Sequence, residues 1–138
     1  MNIEELYESG ERKIDRSHFR NLVMIAKAAG EITADERVLL DKIGSQIGLS
    51  VEQINDIYKN PKKFSVNTPA SREERFEQIV NLLQMVNANG TVKDSEMKVL
   101  ERIAVGIGYR SLDDVDVESI LALIIRGEDT ETIINELL

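Results

Sequence analysis

The chain contains the same 30-residue segment twice, at a constant offset of 60 residues. Residues 21–50 align with residues 81–110 without a gap. A duplicated unit of this kind cannot bury its apolar side alone, so the two copies are expected to pack together. Nine of the thirty paired positions are identical: Asn21/Asn81, Leu22/Leu82, Ala28/Ala88, Gly30/Gly90, Glu36/Glu96, Leu40/Leu100, Ile43/Ile103, Ile47/Ile107 and Gly48/Gly108.

Apolar residues recur in both copies at the spacing of an α-helix. The first copy has Phe19, Leu22, Val23 and Ala26, then Leu39, Leu40, Ile43 and Ile47. The second copy has Phe76, Ile79, Val80, Leu83 and Val86, then Leu100, Ile103, Ala104 and Ile107. No segment alternates with period two for long enough to predict a strand, so each copy is predicted to be a helical hairpin.

Glycines and capping residues predict where these helices begin and end. Gly30 and Gly90 follow the first helix of each copy, where a left-handed residue commonly ends a helix. Gly48 and Gly108 repeat this signal at the far end of each hairpin. Thr33 followed by Glu36 is a capping box that opens the second helix. In the same way, Ser50 with Gln53 predicts a short helix over about 51–58, and Thr68 or Ser71 starts the long helix of the second copy.

The whole chain is predicted to be one all-α domain over 1–138, with about eight helices. Repeat 1 covers about 17–58, a linker covers 59–70, repeat 2 covers about 71–126, and a C-terminal helix covers 129–138. The two hairpins are expected to pack with pseudo-twofold symmetry, with a C-terminal helix pair covering an open side. A short helix at about 3–8, followed by a turn near Gly10, precedes the repeats. The apolar run Ile120–Ile125 predicts a central helix, and the last helix is expected to face inward through Ile133, Ile134, Leu137 and Leu138.

Charge and composition exclude several classes of protein. The net charge is −8, and residues 111–138 hold eight acidic residues and one basic residue. Such a chain lacks the phosphate-neutralising surface that nucleic-acid binding requires, so nucleic acid is not expected as a partner. The run Ile120–Ile125 is far shorter than the roughly 20 residues that span a bilayer, so membrane insertion is not expected either. The absence of cysteine and of an apolar N-terminal leader predicts a cytoplasmic protein.

The acidic C-terminal segment has two interpretations. Acidic runs are usually solvated surface. The alternative is a docking face for a basic protein partner, formed by Asp113, Asp114, Asp116 and Glu118.

The turn of each hairpin is the best candidate for chemistry. Glycine, an aliphatic residue two positions later and a glutamate six positions later are also spaced as in a calcium-binding loop. That loop needs oxygen ligands at its first, third and fifth positions. Aliphatic or basic residues stand at most of these positions, so a calcium loop is not predicted: Ile25, Lys27 and Ala29 in the first copy, and Met85, Asn87 and Asn89 in the second.

The same turn resembles the mark of the TerB-like family, which is associated with bacterial tellurite resistance and stress response. That mark is a helix ending in Ala-Asp-Gly, an aliphatic residue two positions on, and a glutamate opening the next helix. Here it is matched by 28–32 with Glu36 and by 88–92 with Glu96, and the resemblance covers about 17–126. It implies an all-helical pseudo-twofold fold with an acidic surface that holds divalent metal. Glu36 and Glu96 keep their carboxylates, whereas Ala29 and Asn89 replace the aspartate.

Two interpretations of these turn acids remain open. Glu36 and Glu96 can cap their own helices, or they can ligate a divalent metal together with Asp35 and Asp94. His18, the only histidine, is expected at a surface or cap position near a helix start. No nucleophile or acid–base pair is apparent, so the protein is not predicted to be an enzyme. We therefore expect a TerB-like stress-response or protein-interaction module, with divalent-cation binding or sensing as the alternative.

Overall fold

The computed structural model describes residues 3–28, 30–88, 90 and 92–138, with side chains from residue 13 onward. Ala29, Asn89 and Thr91 of the two turns lie outside the described residues. The described part is helical, with no strand. Its seven α-helices are α1 (Ile3–Ala28), α2 (Ala34–Gln46), α3 (Val51–Lys59), α4 (Arg72–Asn87), α5 (Asp94–Gly106), α6 (Val117–Ile125) and α7 (Thr130–Leu137), and short 3₁₀ turns cover Pro61–Lys63 and Leu112–Asp114.

The predicted break near Gly10 is wrong, because α1 continues through it as one helix of 26 residues. A glycine inside a helix costs only about 1 kcal/mol relative to alanine. No proline stands in this segment, so nothing removes a helical hydrogen bond there. The described part therefore has seven α-helices where the sequence predicted about eight.

The duplication is visible in the local structure. Helices α2 and α5 have 13 residues each, and their bounds differ by 60 positions. Both end in the same way: the N–H of Ile47 donates to the Ile43 carbonyl, and the N–H of Ile107 donates to the Ile103 carbonyl. The glycine that follows is left-handed in both copies, with φ of 83° at Gly48 and 118° at Gly108. The twofold relation between the two hairpins as whole units stays a prediction.

Helices α1 and α4 form the central pair. Helix α1 also packs against α2, α3 and α5, whereas α4 also packs against α5, α6 and α7. The predicted apolar stripes supply this core, with Phe19, Leu22, Val23 and Ala26 of α1 and Ile79, Val80, Leu83 and Val86 of α4 all buried. The predicted caps are also present, since Thr33 with Glu36 and Ser50 with Gln53 both form capping boxes. Of the two predicted starts for α4, Ser71 is the cap.

The C-terminal helices are less buried than their composition predicted. In α6 only Ile120 and Leu123 are buried, and Ile125 is 71% exposed. In α7 Ile133 is fully buried, but the expected inward positions of Leu137 and Leu138 are wrong, because both are exposed. Helix α6 packs against α4 and α7, and Val117, Leu121 and Ile124 are only partly buried against the core.

Candidate functional site

Glu36 caps its own helix and is almost completely buried. Its Oε1 accepts a hydrogen bond of 2.9 Å from the N–H of Thr33, and its own N–H donates to the Thr33 hydroxyl at 3.2 Å. The side chain is 1% exposed. Its second oxygen, Oε2, is buried and has no hydrogen-bond partner among the described residues.

Glu96 repeats this arrangement in the second copy. It is also 1% exposed, and its carboxylate accepts a hydrogen bond from the Lys93 backbone. Its Oε2 is likewise buried without a partner in the described part of the chain. Unlike Thr33, Lys93 offers no side-chain cap, so Glu96 has the less complete set of hydrogen bonds.

The two carboxylates influence each other although they are 60 positions apart in the chain. Burial raises the pKa of Glu96, and the negative charge of Glu36 raises it further. The hydrogen bond from the Lys93 backbone and the charge of Lys93 act in the opposite direction. Burial and a neighbouring negative charge both disfavour the ionised form of a carboxylate. The pair is therefore a candidate site for a cation.

The other predicted metal ligands do not join this pair. Asp35 and Asp94 are exposed, in the first turns of α2 and α5. Among the described residues no group of three or more histidine, aspartate or glutamate side chains is placed to hold a metal ion. The pair alone offers two free oxygens, whereas Ca²⁺ takes about six to eight, so a bound cation would keep several waters or backbone oxygens as ligands.

The predicted partner face lies around an open groove beside α5 and α6. Asp113, Asp114, Asp116 and Glu118 all line it, and Glu101 from α5 adds a fifth carboxylate. The groove has a volume of about 700 Å³, and its apolar part is formed by Met97, Leu112, Val115 and Val117. None of the described residues that line it is basic.

Two of these acids also have local structural roles. Asp116 is the N-cap of α6, since its carboxylate accepts hydrogen bonds from the N–H of Ser119 at 3.2 Å and from its hydroxyl at 2.7 Å. These hydrogen bonds lower the pKa of Asp116. Asp114 pairs with Arg110 at 3.4 Å, but Arg110 is 92% exposed, so this ion pair is weak. Asp113 and Glu118 are exposed and have no ion-pair partner among the described residues.

His18 is not at the surface as expected, but buried inside α1 with 5% of its area exposed. Its Nε2 lies 3.0 Å from Nδ2 of Asn81 on α4. Burial lowers the pKa of His18 to about 4, so the imidazole is neutral at pH 7. The surface assignment followed from a helix start near 17, and it fails because α1 begins much earlier. In a longer helix His18 shares a stripe with Leu22 and Ile25, at i, i+4 and i+7, and this spacing was the available signal.

A second cavity adjoins His18, with a volume of about 410 Å³. None of its polar residues was predicted from the sequence to form a site. It lies between α1, α4 and the end of α2, and Ile14 and Ile47 form part of its apolar wall. Its polar lining consists of Asp15, His18, Glu74, Glu77, Gln78 and Asn81.

Comparison with protein-family models, curated proteins and solved structures found no match for this chain. The TerB-like resemblance therefore stays a prediction that rests on the two turns. Within the described residues, no helix combines the length and the apolar character needed to cross a bilayer.

Proposed function

We propose that this protein is a non-enzymatic interaction module whose acidic groove binds a basic segment of a partner protein. The observation that carries the proposal is the convergence of five carboxylates around one partly apolar concave surface. Four of them come from the segment 113–118 and the fifth, Glu101, comes from a different helix.

The groove favours a partner with both lysine or arginine and apolar side chains. Neighbouring carboxylates repel one another, and a cationic segment relieves this repulsion while its apolar side chains cover Met97 and Leu112. Charge complementarity of this kind accelerates association and weakens with added salt, because the Debye length falls from about 10 Å at 0.1 M to about 3 Å at 1 M. We extend the proposal to a cytoplasmic stress-response role, which is the role that the TerB-like resemblance implies.

Charge reversal in the groove tests this proposal. The variant Glu101→Lys, Asp113→Lys, Glu118→Lys changes three groove acids and spares Asp116, whose carboxylate caps α6. In affinity purification from the source cell, we expect the wild-type chain to recover a partner at low salt and the variant to lose it. Recovery should also fall at about 0.5 M salt, because the attraction is screened.

The matched control is Glu31→Lys, Asp56→Lys, Glu136→Lys, which makes the same change in net charge at exposed positions outside the groove. This control should retain the partner. Retention of the same partner by the groove variant, or equal loss from both variants, would contradict the proposal.

A divalent-cation site at Glu36 and Glu96 is the second candidate function. It is favoured by Oε2 of Glu36 and Oε2 of Glu96, two buried oxygens of neighbouring carboxylates that have no hydrogen-bond partner among the described residues. Calorimetry with calcium, magnesium, manganese and zinc is expected to give heat with the wild type and none with Glu36→Gln/Glu96→Gln. A ligand of the folded state also raises the melting temperature. No heat and no melting shift at millimolar metal would rule this function out.

A further inference from the structure

A series of hydrogen bonds that runs in one direction reaches the cavity beside His18, which both Asn81 and His18 line. Gln84 Nε2 donates to the Thr130 hydroxyl at 3.0 Å, and that hydroxyl donates to Asn81 Oδ1 at 3.4 Å. Asn81 Nδ2 is then the donor to His18 Nε2 at 3.0 Å. Because Nε2 accepts, the single proton of the neutral imidazole is on Nδ1.

The last group of this hydrogen-bonded series, the N–H at Nδ1 of His18, is a donor for which the described residues provide no acceptor. His18 Nδ1 is buried and has no hydrogen-bond partner among the described residues. Gln78 lines the same cavity and is 7% exposed, and its Oε1 is a buried acceptor that has no donor in the described part of the chain. Unpaired buried polar groups are costly, typically by about 1–3 kcal/mol each, and they mark sites where a ligand or water completes the hydrogen bonds.

The charged residues around the cavity favour a positively charged ligand. Asp15, Glu74 and Glu77 line it, and none of the described lining residues is basic. The neutral His18 does not oppose a positive charge. The acids and the histidine are not grouped closely enough to hold a metal ion within the described part of the chain. An organic cation therefore fits better than a metal, and Ile14 and Ile47 provide contact for an alkyl chain.

We propose that this cavity binds a small alkylammonium ligand that also carries a neutral oxygen acceptor, as in an amino alcohol. The ammonium group donates to Gln78 Oε1 and is attracted by Glu74 and Glu77, while the ligand oxygen accepts from His18 Nδ1. The cavity volume of about 410 Å³ suits a small molecule. The proposal is independent of the acidic groove, which has no lining residue in common with this cavity.

The single histidine provides a direct measurement on the full chain, because its imidazole NMR signals need no assignment. The probe is 4-amino-1-butanol at pH 7, and we expect a saturable shift of the His18 ring signals. n-Butylamine, which lacks the oxygen, should bind more weakly, and 1,4-butanediol, which lacks the charge, should give no saturable shift.

The variant Glu74→Gln/Glu77→Gln removes two exposed charges at the cavity and is expected to weaken binding about tenfold. The control Glu52→Gln/Glu73→Gln changes two exposed helical acids outside the cavity and should bind as the wild type does. Two results would overturn the proposal: no saturable shift with any probe up to about 50 mM, a concentration far above a millimolar dissociation constant, or equal affinity in the wild type and Glu74→Gln/Glu77→Gln.

Discussion

Lowering the pH from 7 to 4 should destabilise the folded chain by about 3 kcal/mol through His18 alone. Burial lowers the pKa of His18 from 6.5 to about 4 in the folded state. Between these two values the unfolded chain binds a proton that the folded chain does not, so each step downward in pH favours unfolding. The loss begins as the pH falls below about 6.5 and is complete near pH 4.

The variant His18→Gln isolates this effect, because its amide oxygen can still accept from Asn81 but does not titrate. Urea unfolding of both proteins at pH 7.5, 6, 5 and 4 gives the free energy of unfolding of each. The difference between them should be constant above pH 7 and should move in favour of the variant below about pH 6.5. Other titrating groups are common to both proteins and cancel in the comparison. Parallel pH profiles would show that His18 is not buried as a neutral group.

The substitution Glu96→Gln should raise the free energy of unfolding at pH 7 by about 1 kcal/mol. Burial and the charge of Glu36 raise the pKa of Glu96 in the folded state, which means that its ionised form is disfavoured there. Glu96 therefore contributes stability that is present at low pH and lost as the pH rises through its folded-state pKa. Glutamine is neutral at every pH and can still accept a hydrogen bond from the Lys93 backbone.

The gain from Glu96→Gln should thus increase with pH and vanish below about pH 4, where the glutamate is protonated in both states. The double variant Glu36→Gln/Glu96→Gln is the appropriate control. It removes the acceptor charge at Glu36, so the two substitutions should be non-additive in a double-mutant cycle. A gain from Glu96→Gln that is independent of pH, or strict additivity with Glu36→Gln, would show that the two carboxylates do not interact.

The features that sequence analysis predicted correctly are those with local causes. The capping box of Thr33 and Glu36 and the left-handed Gly48 and Gly108 depend on neighbours within a few residues. The buried stripes of α1 and α4 also follow from local spacing. The break predicted at Gly10 was wrong because a local preference was given too much weight. A glycine weakens a helix only slightly, and α1 continues through this position.

For the polar sites, too, the sequence predicted what depends on neighbouring residues and not what depends on packing. The sequence places four acids close together in one short segment: Asp113, Asp114, Asp116 and Glu118. It does not show that Glu101 of α5 lines the same groove, because that depends on how α5 packs. The spacing of His18 with Leu22 and Ile25 is a local signal for burial, but a position near a predicted helix start favoured the surface instead. In the structure α1 begins well before His18, and Asn81 of α4 contacts its imidazole.

The sequence alone was sufficient to predict the helical fold class, the ends of most helices and the duplicated segment. It also shows the concentration of acidic residues near the C-terminus. These depend on spacing, capping and composition, which act over a few residues. Tertiary structure alone decided that Glu36 and Glu96 are buried near each other, that His18 is buried and neutral beside a polar cavity, and that α6 leaves Ile125 exposed. These outcomes depend on which distant segments pack together, and burial of a polar group is set by such packing rather than by its neighbours in the chain.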